Sequence, residues 1–328
     1  MIQIPSLLKV GFRFAPVLSF TDPGVKRIMR LMGPAIIGTS AVQVKVLVDI
    51  LVVSGIDGGQ SWLSFAFRLM QFPIGVFGVA IGTAAIPTLS RLASQDSIVK
   101  FRDTLGDALK LVFLLTIPAA CGLIVLGEPI IGLIYEGGRF TALDTNMTAW
   151  ALSAYSIGLA GYAAIKVLSP SFYALDDAKT PMWVSIGSIA VHIPTSFGMM
   201  LLLSNVGVTP ERPNGFGHVG VALATSTVAL VNFFALTFLM RRRIKRLNGR
   251  EILGSLAKIA IASAVMSLVA YVSYHALTTV FVEKPFWVQF VEAFVPIGLA
   301  GLTFVFAAKL LRINEIERVY RAVISKVR

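Results

Sequence analysis

Eight stretches of the chain, near residues 33–54, 62–88, 108–127, 148–174, 182–204, 218–240, 252–277 and 288–310, are long and apolar enough to cross a lipid bilayer as helices. Crossing the hydrocarbon layer takes roughly 20 apolar residues at ~1.5 Å each, because the backbone finds no water there and must close its own hydrogen bonds. Apolar residues make up 56% of the 328 and charged residues only 14%, against about 45–50% and about 25% in soluble domains. The expected fold is therefore an all-α polytopic membrane protein of about eight transmembrane helices. Pro73, Pro118, Pro194 and Pro296 fall inside the runs and are expected to kink or break their helices. An even number of spans puts both ends on one side.

Lys and Arg in the connecting segments set the orientation, since basic loops stay cytoplasmic. Of the 29 basic residues, 22 lie in 1–32, 89–110, 175–181, 241–250 and 309–328, and 3 in 55–61, 128–147, 205–217 and 278–287. Both termini are therefore expected on the cytoplasmic side. The net charge of +12 does not point to nucleic acid, because the basic residues sit in short segments between apolar runs rather than on one solvated face. The densest run, Arg241-Arg242-Arg243-Ile244-Lys245-Arg246, reads as a topology anchor touching anionic lipid. Along 312–328 charges alternate with Ile313, Ile316, Val319, Tyr320, Val323 and Ile324, which suits an amphipathic helix on the inner leaflet. The opening residues 1–16 are too interrupted by Pro5, Lys9 and Arg13 to read as a cleaved signal peptide.

The remaining four basic residues, Lys45, Arg68, Lys166 and Lys258, fall within the spans. A charge at mid-bilayer costs at least ~2.5–3.5 kcal/mol, so each needs a reason. Lys45 and Asp49 are one helical turn apart, and two readings stay open. They form an ion pair, or Asp49 faces a cavity and binds a coupling cation or proton with Lys45 as a built-in competitor. Arg68 has Ser64, Phe65, Gln71 and Phe72 as its helical neighbours, so any partner comes from elsewhere. Its planar fork of donors suits a phosphate or pyrophosphate, with a structural partner on another helix as the alternative. Lys166 either snorkels to the interface or meets the substrate.

Gly78 and Gly82 form a G-x-x-x-G face inside a span, expected to pack a neighbouring helix closely. The single cysteine, Cys121, excludes a disulfide framework and a thiolate metal cluster. His192, His218 and His275 lack metal-ligand spacing; His192, beside Pro194, either lines a cavity or is a satisfied core histidine. Without a nucleophile elbow or a clustered carboxylate pair in a span, no enzyme is expected.

Four strings carry a family resemblance. They are Phe65-Ala-Phe-Arg68-Leu-Met-Gln-Phe-Pro73-Ile-Gly75-Val-Phe-Gly78-Val-Ala-Ile-Gly82 running on to Arg91, Ile165-Lys166 through Asp176-Asp177-Ala-Lys179-Thr180-Pro181, Gln43-Val-Lys45-Val-Leu-Val48-Asp49, and Glu136-Gly-Gly-Arg139-Phe140-Thr141. In order and content they resemble the MurJ (MviN) family of lipid II flippases, within the multidrug/oligosaccharidyl-lipid/polysaccharide exporter superfamily.

The resemblance implies two six-helix lobes plus two C-terminal helices, of which this chain supplies the second lobe and the last pair. On that reading 1–32 is a cytoplasmic amphipathic lead-in from a missing first lobe, 33–240 the six-helix second lobe and 241–250 a basic cytoplasmic loop. Residues 251–311 are then the C-terminal helix pair and 312–328 a cytoplasmic amphipathic tail. The implied activity is flipping of undecaprenyl-pyrophosphate-linked peptidoglycan precursor by alternating access, and the chain is expected to be an incomplete flippase. Arg68 and Lys166 would bind substrate. Asp49, Ser196 and Thr225 would hold a coupling cation, sodium or a proton, with no other cofactor.

Implied partners are the lipid-linked precursor, membrane lipids, the first lobe and cell-wall synthesis proteins, with no nucleic acid. Three positions depart from the family pattern. Phe67 stands where many relatives have an acidic residue, Lys45 where a neutral polar residue is usual, and Val191–Ser196 replaces a segment often carrying amide or acidic cation ligands. The alternatives are a flippase for another polyprenyl-linked glycan, a cation-coupled drug antiporter of the same superfamily, or a non-transporting membrane scaffold or truncated gene product.

Overall fold

A computed structural model describes residues 22–210, 212–245, 249–281, 286–313 and 315. Residues 1–21 of the expected lead-in, 246–248 of the basic loop, and 314 and 316–328 of the expected tail lie outside the described residues.

Helix α1, Pro23–Val53, begins at Asp22, whose carboxylate accepts the Gly24 and Val25 amides at 2.7 and 3.2 Å. Pro23 at its first position has no donor to lose, so cap and proline together fix the start. Helix α2, Gly59–Pro73, passes through a π-helical stretch, Ile74–Val79, into α3, Ala80–Ser94. Helix α4 is Ile98–Tyr135, α5 Ala142–Ile157, α6 Leu159–Ala174, α7 Lys179–Ser204, α8 Gly217–Arg243, α9 Gly249–Val280 and α10 Phe286–Leu310. Among the described residues seven continuous runs, with α2 through α3 counted as one, have the length and apolarity of a span. The pair α5 and α6, bent by 45°, supplies an eighth, so each stretch expected from the sequence has its helix.

Three of the four prolines do not break their helices. Pro118, Pro194 and Pro296 lie inside unbroken helices. At Pro73, where the ring withholds an N–H, the chain widens into the π-helical stretch instead of breaking. The sharp bend falls at Gly158, where a side chain would come within 2.7 Å of the Ser226 backbone of α8. The Ser226 hydroxyl donates to the carbonyls of Ala154 (2.7 Å) and Tyr155 (3.1 Å) beside the bend, giving those buried acceptors a partner where water is absent.

Gly78 and Gly82 pack on α6 as the motif predicts: an added Cβ would stand 2.9 Å from Ala163 Cα and 2.6 Å from the Lys166 carbonyl oxygen. Two apolar clusters fill the bundle, one around Phe101, Leu105, Val167 and Phe172, the other around Met70, Ile131, Leu152 and Val221. Helices α9 and α10 attach to α4 through Leu126, Met266, Ala270 and Ala300. Their outer faces leave Leu268, Val272, Leu302 and Phe306 exposed, a surface whose natural solvent is lipid.

Three of the connections poor in basic residues, 55–61, 128–147 and 205–217, meet at one end of the bundle. There Asn214 donates to the Gly55 carbonyl (3.4 Å), Trp62 to Asp144 (2.7 Å), and the Trp150 and Phe216 rings meet at a tilt with centroids 5.4 Å apart. At the other end Ile28, Ser94, Asp96, Asp176 and Arg243 line one cavity. The chain is a multi-pass membrane protein.

Candidate functional site

Helix α1 places Lys45 and Asp49 on one face, and that face meets α6, α7 and α8. Asp49 Oδ1 lies 2.7 Å from His192 Nε2 of α7, and Asp49 Oδ2 accepts from the Thr225 hydroxyl of α8 at 3.2 Å. Lys45 Nζ donates to the Tyr162 hydroxyl of α6 at 2.7 Å and to the Thr225 carbonyl at 3.4 Å. Tyr162 in turn donates to that same carbonyl at 3.2 Å. Thr225 thus serves both charges, its hydroxyl toward the carboxylate and its carbonyl toward the ammonium. It stands eight residues inside α8, ~12 Å from the helix end at ~1.5 Å per residue. Such depth demands that polar groups find protein partners.

The direct Lys45–Asp49 ion pair is not formed. Spacing on one helix brings the two side chains to the same face, but each finds a better-directed partner across the bundle, and no N···O contact within 4.0 Å joins them. Of the three residues expected to hold a cation, Asp49 and Thr225 meet, while Ser196 does not join them. Its hydroxyl is buried one turn beyond His192 and has no hydrogen-bond partner among the described residues. Nor has the outer nitrogen, Nδ1, of His192.

Asp49 lies on the wall of two small cavities. One, of about 100 Å³, is lined by Gln60, Ser64, Phe67 and Tyr155; the other, of about 90 Å³, by Lys45, Tyr162, Ser185, Ser188, Thr225 and Asn232. Each has room for a few water molecules at ~30 Å³ apiece. Phe67 borders both, its ring 5.6 Å from that of Tyr155.

Arg68, the next residue on α2, points elsewhere. It is exposed, its guanidinium 5.8 Å from the centre of the Phe65 ring, with no ion pair among the described residues. Lys166 is also exposed, on α6 where that helix backs onto Gly82, and neither residue lines the Asp49 cavities. Two other family strings have structural uses. Asp177 accepts the Thr180 amide at 3.0 Å and the Thr180 hydroxyl at 2.8 Å, starting α7. Thr141 and Asp144 close a capping box that starts α5, and Thr145 donates to Glu136 at 2.7 Å. His218 is a core residue, its Nε2 3.0 Å from the Met147 carbonyl and its ring 4.9 Å from Trp62.

Tyr162 carried no signal in the sequence, being one aromatic residue in an apolar run. The one available hint was that a buried tyrosine hydroxyl normally finds a partner.

The family model described as "Lipid II flippase MurJ" matches residues 1–292. This chain belongs to the MurJ family. It is 35% identical over 270 residues to a probable lipid II flippase MurJ of Vibrio cholerae, covering 81% of this chain and 49% of that protein. With the lipid II flippase MurJ of Burkholderia cenocepacia it shares 33% over 248 residues, 74% of this chain and 46% of the relative. A solved structure titled as lipid II flippase MurJ in an inward closed conformation superposes with a TM-score of 0.68 at 27% identity, covering 98% of this chain and 60% of that one.

The chain thus spans about half the length of these curated MurJ relatives. An outward-facing multidrug resistance MATE family transporter of the MOP superfamily gives a TM-score of 0.57 at 17% identity, a likeness of fold alone. MurJ proteins are described as flippases, so the chain belongs to a family of transporters rather than of enzymes.

Proposed function

We propose that this chain is a lobe of a lipid II flippase, moving undecaprenyl-pyrophosphate-linked peptidoglycan precursor across the bacterial inner membrane by alternating access. On this reading 33–240 forms one lobe and 251–311 an attached helix pair, and the basic ends of the helices face the cytoplasm. The concentration of Lys and Arg at one end of the bundle supports that orientation. Membership of the MurJ family supports the substrate class.

The observation that carries the mechanism is the guanidinium of Arg68. It stands exposed on a membrane-spanning helix without a carboxylate partner among the described residues, a costly arrangement for a structural arginine. A diphosphate passing beside it supplies two charge-assisted hydrogen bonds and removes that cost. The exposed face of α2 and of the π-helical stretch after it, with Arg68, Gln71, Phe72 and Val76, is then the wall of the transport chamber, closed by a second lobe. Lys166 adds positive charge nearer the basic end.

The test is complementation of a flippase-depleted strain by the protein as its gene encodes it. Arg68→Ala is expected to abolish growth at unchanged expression. Normal growth would remove Arg68 from the mechanism.

A further inference from the structure

The family resemblance places a coupling cation among Asp49, Ser196 and Thr225, and the side chains do not fit one. A hard cation takes several oxygens whose lone pairs converge on it. Here Asp49 Oδ1 faces the His192 ring nitrogen, Asp49 Oδ2 faces the Thr225 hydroxyl proton, and the Thr225 carbonyl already accepts from both Tyr162 and Lys45. Ser196 stands outside the group. Of the two cavities beside Asp49, the one that Thr225 also lines, about 90 Å³, has the Lys45 side chain in its own wall. A second positive charge ~5 Å from an ammonium, at an effective dielectric of ~20, loses on the order of a hundredfold in affinity.

We propose that Lys45 is a tethered cation: its ammonium, held by Tyr162 and Thr225, takes the place of a coupling ion in the cavity beside Asp49, so that this chain binds no sodium there. The arrangement supplies what a cation would supply. Positive charge balances Asp49 inside the hydrocarbon layer, and Thr225, bonded to both groups, links α1 to α8. Unlike a diffusing ion, the ammonium cannot leave, so the carboxylate never stands uncompensated and the contact between α1, α6 and α8 does not depend on which salt bathes either side of the membrane. Its meaning for transport rests on the flippase reading, but its test does not, because ion binding is read without any lipid substrate.

The test is thermal unfolding of the purified chain in detergent, with sodium chloride replacing choline chloride at constant ionic strength. The parent protein is expected to show the same midpoint in both salts. Lys45→Asn removes the ammonium and frees the oxygens of Thr225 and Tyr162. Its midpoint is expected to rise by a few degrees in sodium, saturably, and the rise to vanish when Asp49→Asn is added. Lys45→Met serves as a second variant should the first misfold, and sodium NMR line widths on the parent protein decide if neither folds. A sodium-specific shift or line broadening in the parent that Asp49→Asn abolishes would overturn the proposal. So would folded Lys45 variants as indifferent to sodium as the parent.

Discussion

His192 Nε2 stands 2.7 Å from Asp49 Oδ1 and so ties α7 to α1 within the apolar interface the two helices share. The imidazole is fully buried and the carboxylate 15% exposed, so the imidazole cannot exchange its partner for bulk water. The bond therefore holds both the helix pair and the rotamer of the carboxylate that Thr225 shares.

His192→Ala leaves Asp49 Oδ1 without its partner and is expected to lower stability by about 1–3 kcal/mol, the cost of a largely buried acceptor left without a donor. Asp49→Ala removes the other half. Because the two residues act through one bond, the double variant is expected to cost less than the sum of the single ones, with a coupling of roughly 0.5–3 kcal/mol. Unfolding of all four proteins in detergent measures this. Simple additivity would mean that the pair contributes nothing as a pair.

Gly82→Ala puts a methyl group 2.6 Å from the Lys166 carbonyl oxygen, a backbone atom that cannot swing aside. Helix α3 must then move off α6, and a loss of about 1–3 kcal/mol is expected. Gly75, in the adjoining π-helical stretch, has nothing within 4 Å of the same added atom. Gly75→Ala is therefore expected to be neutral or to stabilise by up to ~1 kcal/mol through helix propensity. The contrast in unfolding midpoints separates close packing from a general intolerance of alanine.

What could be read in the sequence was what is local along the chain. Each of the eight spans depends on the length of one apolar run, and the contact of Gly78 and Gly82 with α6 depends on two positions one turn apart. The polar core resisted because its bonds join residues 63 to 180 positions apart. Within one helix Lys45 and Asp49 are each other's nearest opposite charge, and only the packing of α6, α7 and α8 reveals Tyr162, His192 and Thr225 as the partners. The break at Gly158 was not legible for a related reason. A proline announces itself locally, whereas the need for Gly158 arises from Ser226 on another helix.

Trp62 at the start of α2 donates to Asp144 Oδ1 at 2.7 Å, and the same carboxylate closes the capping box with Thr141. Trp62→Phe keeps a ring against His218 but loses the donor, at an expected cost of about 1.5–3 kcal/mol for a hydrogen bond to a charged group. Asp144→Ala loses the cap as well, worth a further ~1 kcal/mol. Hydrogen exchange at the first turn of α5 should therefore quicken more in Asp144→Ala than in Trp62→Phe. Equal protection in the two variants would show that the cap carries no stability of its own.

Exposure alone does not distinguish a side chain facing a wet chamber from one facing lipid, and the proposed transport path requires that distinction. Arg68 on α2 and Leu302 on α10 are both exposed, Leu302 to 72%. The chain has one native cysteine, so Cys121→Ala gives a clean background for labelling. In that background Arg68→Cys is expected to react with a charged, membrane-impermeant thiol reagent, because only thiolate in contact with water is nucleophilic. Leu302→Cys, placed in lipid, is expected to react at least tenfold more slowly, the thiol remaining protonated in hydrocarbon. Lipid II added before the reagent should protect Arg68→Cys and leave Leu302→Cys unchanged. Arg68→Lys keeps the charge but not the planar fork, and is expected to fall well short of full complementation. Equal labelling of the two positions would place Arg68 in the same lipid surroundings as Leu302 and remove the diphosphate from its account.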